Sequence, residues 1–298
     1  MEPVIFELVS GLAAVVAPAF LVSLAGFVWQ KRRLPFDQVQ VTNMITLVGA
    51  PCLVFSTLTK AHLPSSEIMV MGGATLACLG LSAAVGVVAL RFAKLPLKVY
   101  LPSLVFPNIG NLGLPVCLFA FGDEGMALAM IFFAVTTVGQ FTLGPAIASG
   151  QFQAGQLLRV PFMYAALVSL LLGAMGIQIP RWLANSADLA GSLTVPLMLL
   201  ALGVALAELK AANFGRAVVM SVARLALGVL GGWLVSSLMG LEGVHRGVVI
   251  IESAMPVAVF NFLFARMYGN QPDEVAGMVL VSTVLAFLGL PVLVALLI

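Results

Sequence analysis

Apolar runs broken by short polar stretches fill the chain from end to end. Each run is about 20 residues long, the length a helix needs to cross a bilayer. Ten such spans are read from the sequence. Span 1 covers 5–29 and ends at the basic cluster Lys31, Arg32 and Arg33; span 2 covers 39–58 with Pro51 in its middle. Span 3 covers 68–90 and stops before Arg91 and Lys94, span 4 runs from Tyr100 to Gly122, and span 5 covers 126–148. A polar linker at 150–161 precedes span 6 at 162–179, a loop is expected at 180–190, and span 7 covers 191–208. Spans 8, 9 and 10 cover 217–239, 247–268 and 275–297. The pattern predicts an all-α membrane protein with ten transmembrane helices.

Span 4 is apolar enough to cross, yet Pro107, Asn108, Gly110, Asn111, Gly113 and Pro115 occupy its middle. Each proline removes a backbone donor and its ring clashes with the preceding turn, and Gly and Asn between them weaken helix further. In hydrocarbon the freed amides and carbonyls need partners, so such a break survives where it lines a protein-enclosed, watered cavity. Span 9 carries Pro256 in a comparable place, followed by Val257 and Asn261. Second half-helices are expected to begin near Asn111 and near Val257. Broken helices of this kind hold the substrate in many secondary transporters; a proline-kinked packing helix is the plainer alternative.

Composition agrees with the span count. The chain of 298 residues is 61% hydrophobic and 9% charged, against about a quarter charged in soluble domains. It has no basic tail and no charge run, so nucleic-acid binding has no support. Cys52, Cys78 and Cys117 are odd in number and each lies in an apolar run, which gives no disulfide framework, and neither a metal site nor a cofactor is indicated. Glu2 and Glu7 stand where a cleavable leader would be basic, so the first residues read as span 1. With the N-terminus outside, ten of the 14 Lys and Arg fall on the inner side, three outside, and Arg224 within span 8. That bias predicts a multi-pass protein of the cell membrane, the inner membrane in a bacterium, with both termini outside.

The halves echo each other. Pro51 and Pro196, and likewise Pro107 and Pro256, sit at nearly equal offsets. Five spans per half make the second half enter from the opposite face, giving an inverted-topology repeat with a site between its broken helices. The expected division is 1–149 for the first five-helix repeat, 150–161 for a cytoplasmic linker and 162–298 for the second.

The run from Pro107 through Asn108, Gly110, Asn111 and Gly113 to Pro115, with Phe121 and Gly122 after it, resembles the auxin efflux carrier family, which includes plant PIN-type exporters. So do Met255 and Pro256, Tyr268 and Gly269, and the stretch from Leu280 to Thr283. The resemblance implies the fold shared with bile-acid sodium symporters, with broken spans 4 and 9 crossing. It also implies a scaffold of spans 1, 2, 6 and 7, a moving domain of spans 3–5 and 8–10, and a homodimer through the scaffold. Small organic anions, malonate-type carboxylates or auxin-like acids among them, are the implied substrates. The short linker at 150–161 is similar to that of bacterial members.

Several side chains are candidates for the site. Asn108 and Asn111 offer amide donors to a carboxylate or, alternatively, partners to broken backbone. Pro107, Gly110, Pro256 and Val257 shape the breaks, where half-helix N-termini can hold an anion. Arg224 lies too deep in span 8 to snorkel comfortably and suits either a second acidic group on the substrate or a pair with Glu252. Glu252 is a candidate for coupling. Thr136, Thr137 and Gln140 on span 5, with Asn261 on span 9, form a polar counterpart. An elevator-type carrier of small organic anions is the reading that follows, with a sodium- or proton-coupled symporter or antiporter of the same fold as the alternative. No H-E-x-x-H, paired-Asp or Ser/His constellation supports an intramembrane enzyme, and the sequence leaves a channel or sensor open.

Overall fold

Helix starts are set by local chemistry wherever a polar residue precedes an apolar run. In the computed structural model, which describes residues 2–61, 65–150, 161–175, 177, 179–209 and 213–297, Asp37 caps one helix by accepting from Gln40 N at 2.9 Å. Asn213 caps another by accepting from Arg216 N at 3.3 Å, each satisfying an orphan first-turn amide. The described helices are α1 (Glu2–Lys31), α2 (Gln38–Met44), α3 (Ala50–Ala61), α4 (Ser65–Phe92), α5 (Leu97–Val105) and α6 (Leu114–Ser149). After them come α7 (Pro161–Ala174), α8 (Arg181–Ser192), α9 (Thr194–Glu208), α10 (Phe214–Leu238), α11 (Gly243–Ala254), α12 (Val259–Met267) and α13 (Pro272–Ala295). The linker expected at 150–161 lies, at 151–160, outside the described residues.

Two prolines widen the turn before them. Single π-helical turns at Ile45–Gly49 and Ile109–Gly113 lead into α3 and α6. In each, the residue just before the proline reaches back one position further than in an α-helix: Ala50 N bonds Ile45 O and Leu114 N bonds Ile109 O. The extra residue moves aside the carbonyl with which the ring of Pro51 or Pro115 would collide.

The stretch Ile109–Ser149 has 41 residues, about 60 Å if straight, twice a bilayer core of about 30 Å. Gly122 divides it: its φ of 63° and ψ of −151° leave helical space in a region open to glycine. The second half of span 4 and all of span 5 are thus separate rods joined at one residue. By length and hydropathy, six stretches among the described residues can cross a membrane: Gln38–Lys60, Ser66–Phe92, Ile109–Ser149, Arg181–Glu208, Phe214–Leu238 and Pro272–Ala295. By contrast α5 and α12 have nine residues each and α11 has 12, too short to cross alone.

The expected loop at 180–190 is instead helix α8, which runs almost directly into α9. Its polar residues Asn185, Ser186 and Asp188 lower the apolar count that marks a span. Helical periodicity nevertheless gives it an apolar face, and Asp188 meets Lys60 of α3 at 2.5 Å.

Two groups of helices emerge from the contacts. In one, α1 packs on α9, and α3 packs on α7 and α8; in the other, α10 packs on α11 and α13, while α4 packs on α5 and α6. The groups meet where α1 touches α13 and α6, and where α3 touches α6; Phe20 and Phe287 stack edge to face there, centroids 5.3 Å apart. Arg216, at the start of α10, contacts Tyr100 Oη at 3.2 Å and Glu274 at 3.5 Å, tying the ends of α5, α10 and α13 together. Large apolar side chains such as Met69, Phe92, Leu230, Leu238 and Leu288 point outward. An apolar outside over a core holding Arg224, Glu252 and Asn261 is the arrangement a hydrocarbon solvent selects.

Candidate functional site

Two helices stop short and meet. α5 ends at Val105 and α11 at Ala254, and the extended residues beyond them cross as one antiparallel bridge between Pro107 and Val257. Asn108 N donates to Pro256 O at 2.7 Å, and Ala258 N donates to Phe106 O at 3.3 Å. The second halves then begin at Ile109 and Val259, close to the positions expected from Asn111 and Val257.

Backbone accounting explains what holds this crossing. In an unbroken helix, Leu104 O would receive Asn108 N and Ser253 O would receive Val257 N. Both donors are diverted, Asn108 N to Pro256 O and Val257 N to Ser282 Oγ at 3.0 Å. Arg224, buried with 1% exposure, supplies the replacements. Its Nη1 donates to Leu104 O at 2.8 Å, and its Nη2 donates to Ser253 O at 2.7 Å and Met255 O at 3.2 Å. One guanidinium therefore closes the C-terminal ends of both first halves, where a cation also opposes the negative ends of the helix dipoles. The pair with Glu252 weighed from the sequence is not formed.

Glu252 lies elsewhere. It is fully buried; its Oε1 accepts from Cys117 Sγ at 3.7 Å, and its Oε2 has no partner. The carboxyl sits against Gly113, where a Cβ would fall on Oε2. Gly113 closes the π-helical turn, its N bonding Asn108 O at 3.2 Å. So this acid on the first half of span 9 touches the first turn of the second half of span 4.

Asn261 Nδ2 donates to Phe106 O at 3.0 Å, so that carbonyl accepts twice. Asn108 is buried with its Nδ2 unpartnered, and Asn111 and Gly110 lie half-buried in the π-helical turn. On α6, Phe133 packs against Gly110 and Gly139 lies against Phe106. Thr136, Thr137 and Gln140 are buried on this part of the helix, with Thr136 Oγ1 and Gln140 Nε2 unpartnered. Spacings of three and four residues put Phe133, Thr136, Thr137 and Gln140 on one face. The crossover thus gathers two half-helix N-termini, whose first amides have no intrahelical acceptor, beside two buried amide donors without partners.

The sequence gives no site role to Ser282 or Cys117, and to Gly113 only that of a helix breaker. A signal for Ser282 does exist: Pro107 has no N–H, whereas its bridge partner Val257 has one that must be satisfied. A family model described as "Membrane transport protein" matches residues 146–294. An uncharacterized transporter of Methanocaldococcus jannaschii is 25% identical over 267 residues, 83% of this chain and 86% of that protein. One of Methanothermobacter thermautotrophicus is 24% identical over 274 residues, 86% of this chain and 87% of that protein.

Proposed function

This chain belongs to the membrane transport protein family, the auxin efflux carrier group that its Gly, Pro and Asn pattern resembles, and from that premise we propose that it is a secondary carrier of small organic anions held at the Pro107–Val257 crossover. The observation that carries this reading is the electrostatic division of the crossover. Arg224 closes the two negative C-terminal ends. The two N-terminal ends, together worth roughly one positive unit, stand beside the unpartnered donors Asn108 Nδ2 and Gln140 Nε2. Such a set accepts a carboxylate without a cationic side chain.

Ten spans in two inverted repeats, 1–149 and 162–298 about a linker at 150–161, are the arrangement in which two broken helices meet at one site. The two packing groups support a scaffold of spans 1, 2, 6 and 7 and a transport domain of spans 3–5 and 8–10 moving past it as an elevator. The scaffold is also where we place a homodimer contact. The basic-residue bias favours both termini outside.

The test is uptake into proteoliposomes of a panel of radiolabelled mono- and dicarboxylates, malonate included. Saturable uptake lost in Asn108→Ala supports the assignment. A panel carried no faster than by empty liposomes removes it.

A further inference from the structure

Among the described residues Glu252 is the one buried acid at the crossover, and the arrangement of positive ends leaves it a specific task. Its carboxyl abuts Gly113 within the first turn of the second half of span 4, the positive end to which a substrate anion would bind. The groups that face it from neighbouring elements are few. Cys117 of α6 donates to Oε1. Arg224 of α10 donates its Nη1 and Nη2 to the carbonyls of Leu104, Ser253 and Met255, while its Nε has no partner. Cys78 of α4 is a buried, free thiol. Glu67 of α4 and His245 of α11 pair with each other at 3.9 Å, about two helical turns from Glu252 along α11, and α13 contributes Ser282, which is neutral. Among the described residues no cation contacts the Glu252 carboxyl.

Resting on the anion-carrier reading, we propose that Glu252 is the proton-carrying group of this protein, so that one anion and one proton cross together. Ionised, the carboxylate offsets the positive end of that half-helix and repels a substrate carboxylate a turn away. Protonated, it leaves the end free, and anion and proton occupancy favour each other. The proton enters Oε2 from water on one side and leaves to water on the other after the loaded domain has moved; no bond other than O–H is made or broken. Gly113 is part of the device, because any side chain there would expel the carboxyl from the turn.

Two measurements on the purified full chain test this. The first is infrared difference spectroscopy across a pH series, with and without added malonate. The expected result is a protonated-carboxyl band that disappears in Glu252→Gln and that malonate extends to higher pH. A spectrum without such a band, or a band that survives in Glu252→Gln, overturns the proposal. Should Glu252→Gln not fold, Glu252→Asp is read for a shift of the same band.

The second is malonate transport in proteoliposomes. One unit of acid-outside gradient should drive about tenfold accumulation per proton in the parent protein. Glu252→Gln should bring acid-driven accumulation down to the level that variant reaches without a gradient. Gradient-driven accumulation in Glu252→Gln equal to the parent's also overturns the proposal. If malonate is neither bound nor carried by the parent, the anion-carrier reading fails for this probe, while the infrared band still decides whether Glu252 holds a proton.

Discussion

Replacing Arg224 by Met removes three hydrogen bonds and keeps most of the side-chain volume. Leu104 O, Ser253 O and Met255 O all lose the donor that Arg224 supplies. Leu104 O and Ser253 O cannot recover their helical partners, which are committed to Pro256 O and Ser282 Oγ. Each buried carbonyl left without a donor costs about 1–3 kcal/mol. Against this, the guanidinium no longer has to be held out of water, a relief of several kcal/mol. Three such carbonyls together cost about 3–9 kcal/mol, of which the relief offsets part, for a net expected loss of about 3–5 kcal/mol. At about 2 °C per kcal/mol for a chain of this size, the melting temperature should fall by roughly 6–10 °C.

A thiol-reactive fluorophore reads this directly in detergent, because Cys78 and Cys117 are free and buried. Arg224→Lys should fall between parent and Met, since a point charge cannot span both helix ends as the planar fork does. A Met variant melting within about 1 °C of the parent would refute the bracing role. If Arg224 instead reached a second acidic group on the substrate, its variants would lose dicarboxylate transport, keep monocarboxylate transport and melt normally.

Asn108→Ala should weaken binding of a carried carboxylate by about 1.5–3 kcal/mol, roughly ten- to a hundredfold by calorimetry; unchanged affinity would assign that amide to the backbone. Ser282→Ala should leave Val257 N buried without an acceptor, destabilising by about 1–3 kcal/mol and speeding hydrogen exchange at that amide. Gly113→Ala should be more damaging than its size suggests, and a second change Glu252→Ala should recover part of the melting temperature by removing the colliding carboxyl. Lys60→Ala should change the melting temperature little, because an exposed pair contributes about 0–1 kcal/mol. Tags placed at either end should be accessible from outside intact cells.

Much of the crossover was legible because prolines and glycines are read locally. Pro107, Gly110, Gly113 and Pro115 announce a failed helix whatever surrounds them, and the structure breaks there and at Met255–Ala258. Partner identity was not legible in the same way. Nothing about Arg224 in sequence reveals that Asn108 N and Val257 N have been diverted, and only that diversion creates the vacancies the guanidinium fills. Charge alone would pair Arg224 with Glu252, but charges seek whatever is unsatisfied, and here that is backbone. Helix α8 escapes the span count for a different reason: an average of apolarity cannot see a helix that is apolar on one side.

The lacing of the crossover also has a mechanical side. Its seven non-helical residues, 106–108 and 255–258, and the helix ends beside them are stitched to α10 by Arg224, to α12 by Asn261 and to α13 by Ser282, so a force on any of these helices reaches the other two through the same knot. The stitching is lopsided, since the Val257 strand is anchored to α13 while the Pro107 strand offers no amide at the matching position. A joint of that kind resists being opened from the α13 side and yields first on the other. In the carrier cycle proposed above, the knot would travel as a single stiff part, and the Phe20–Phe287 seam and the Gly122 corner are where compliance is expected.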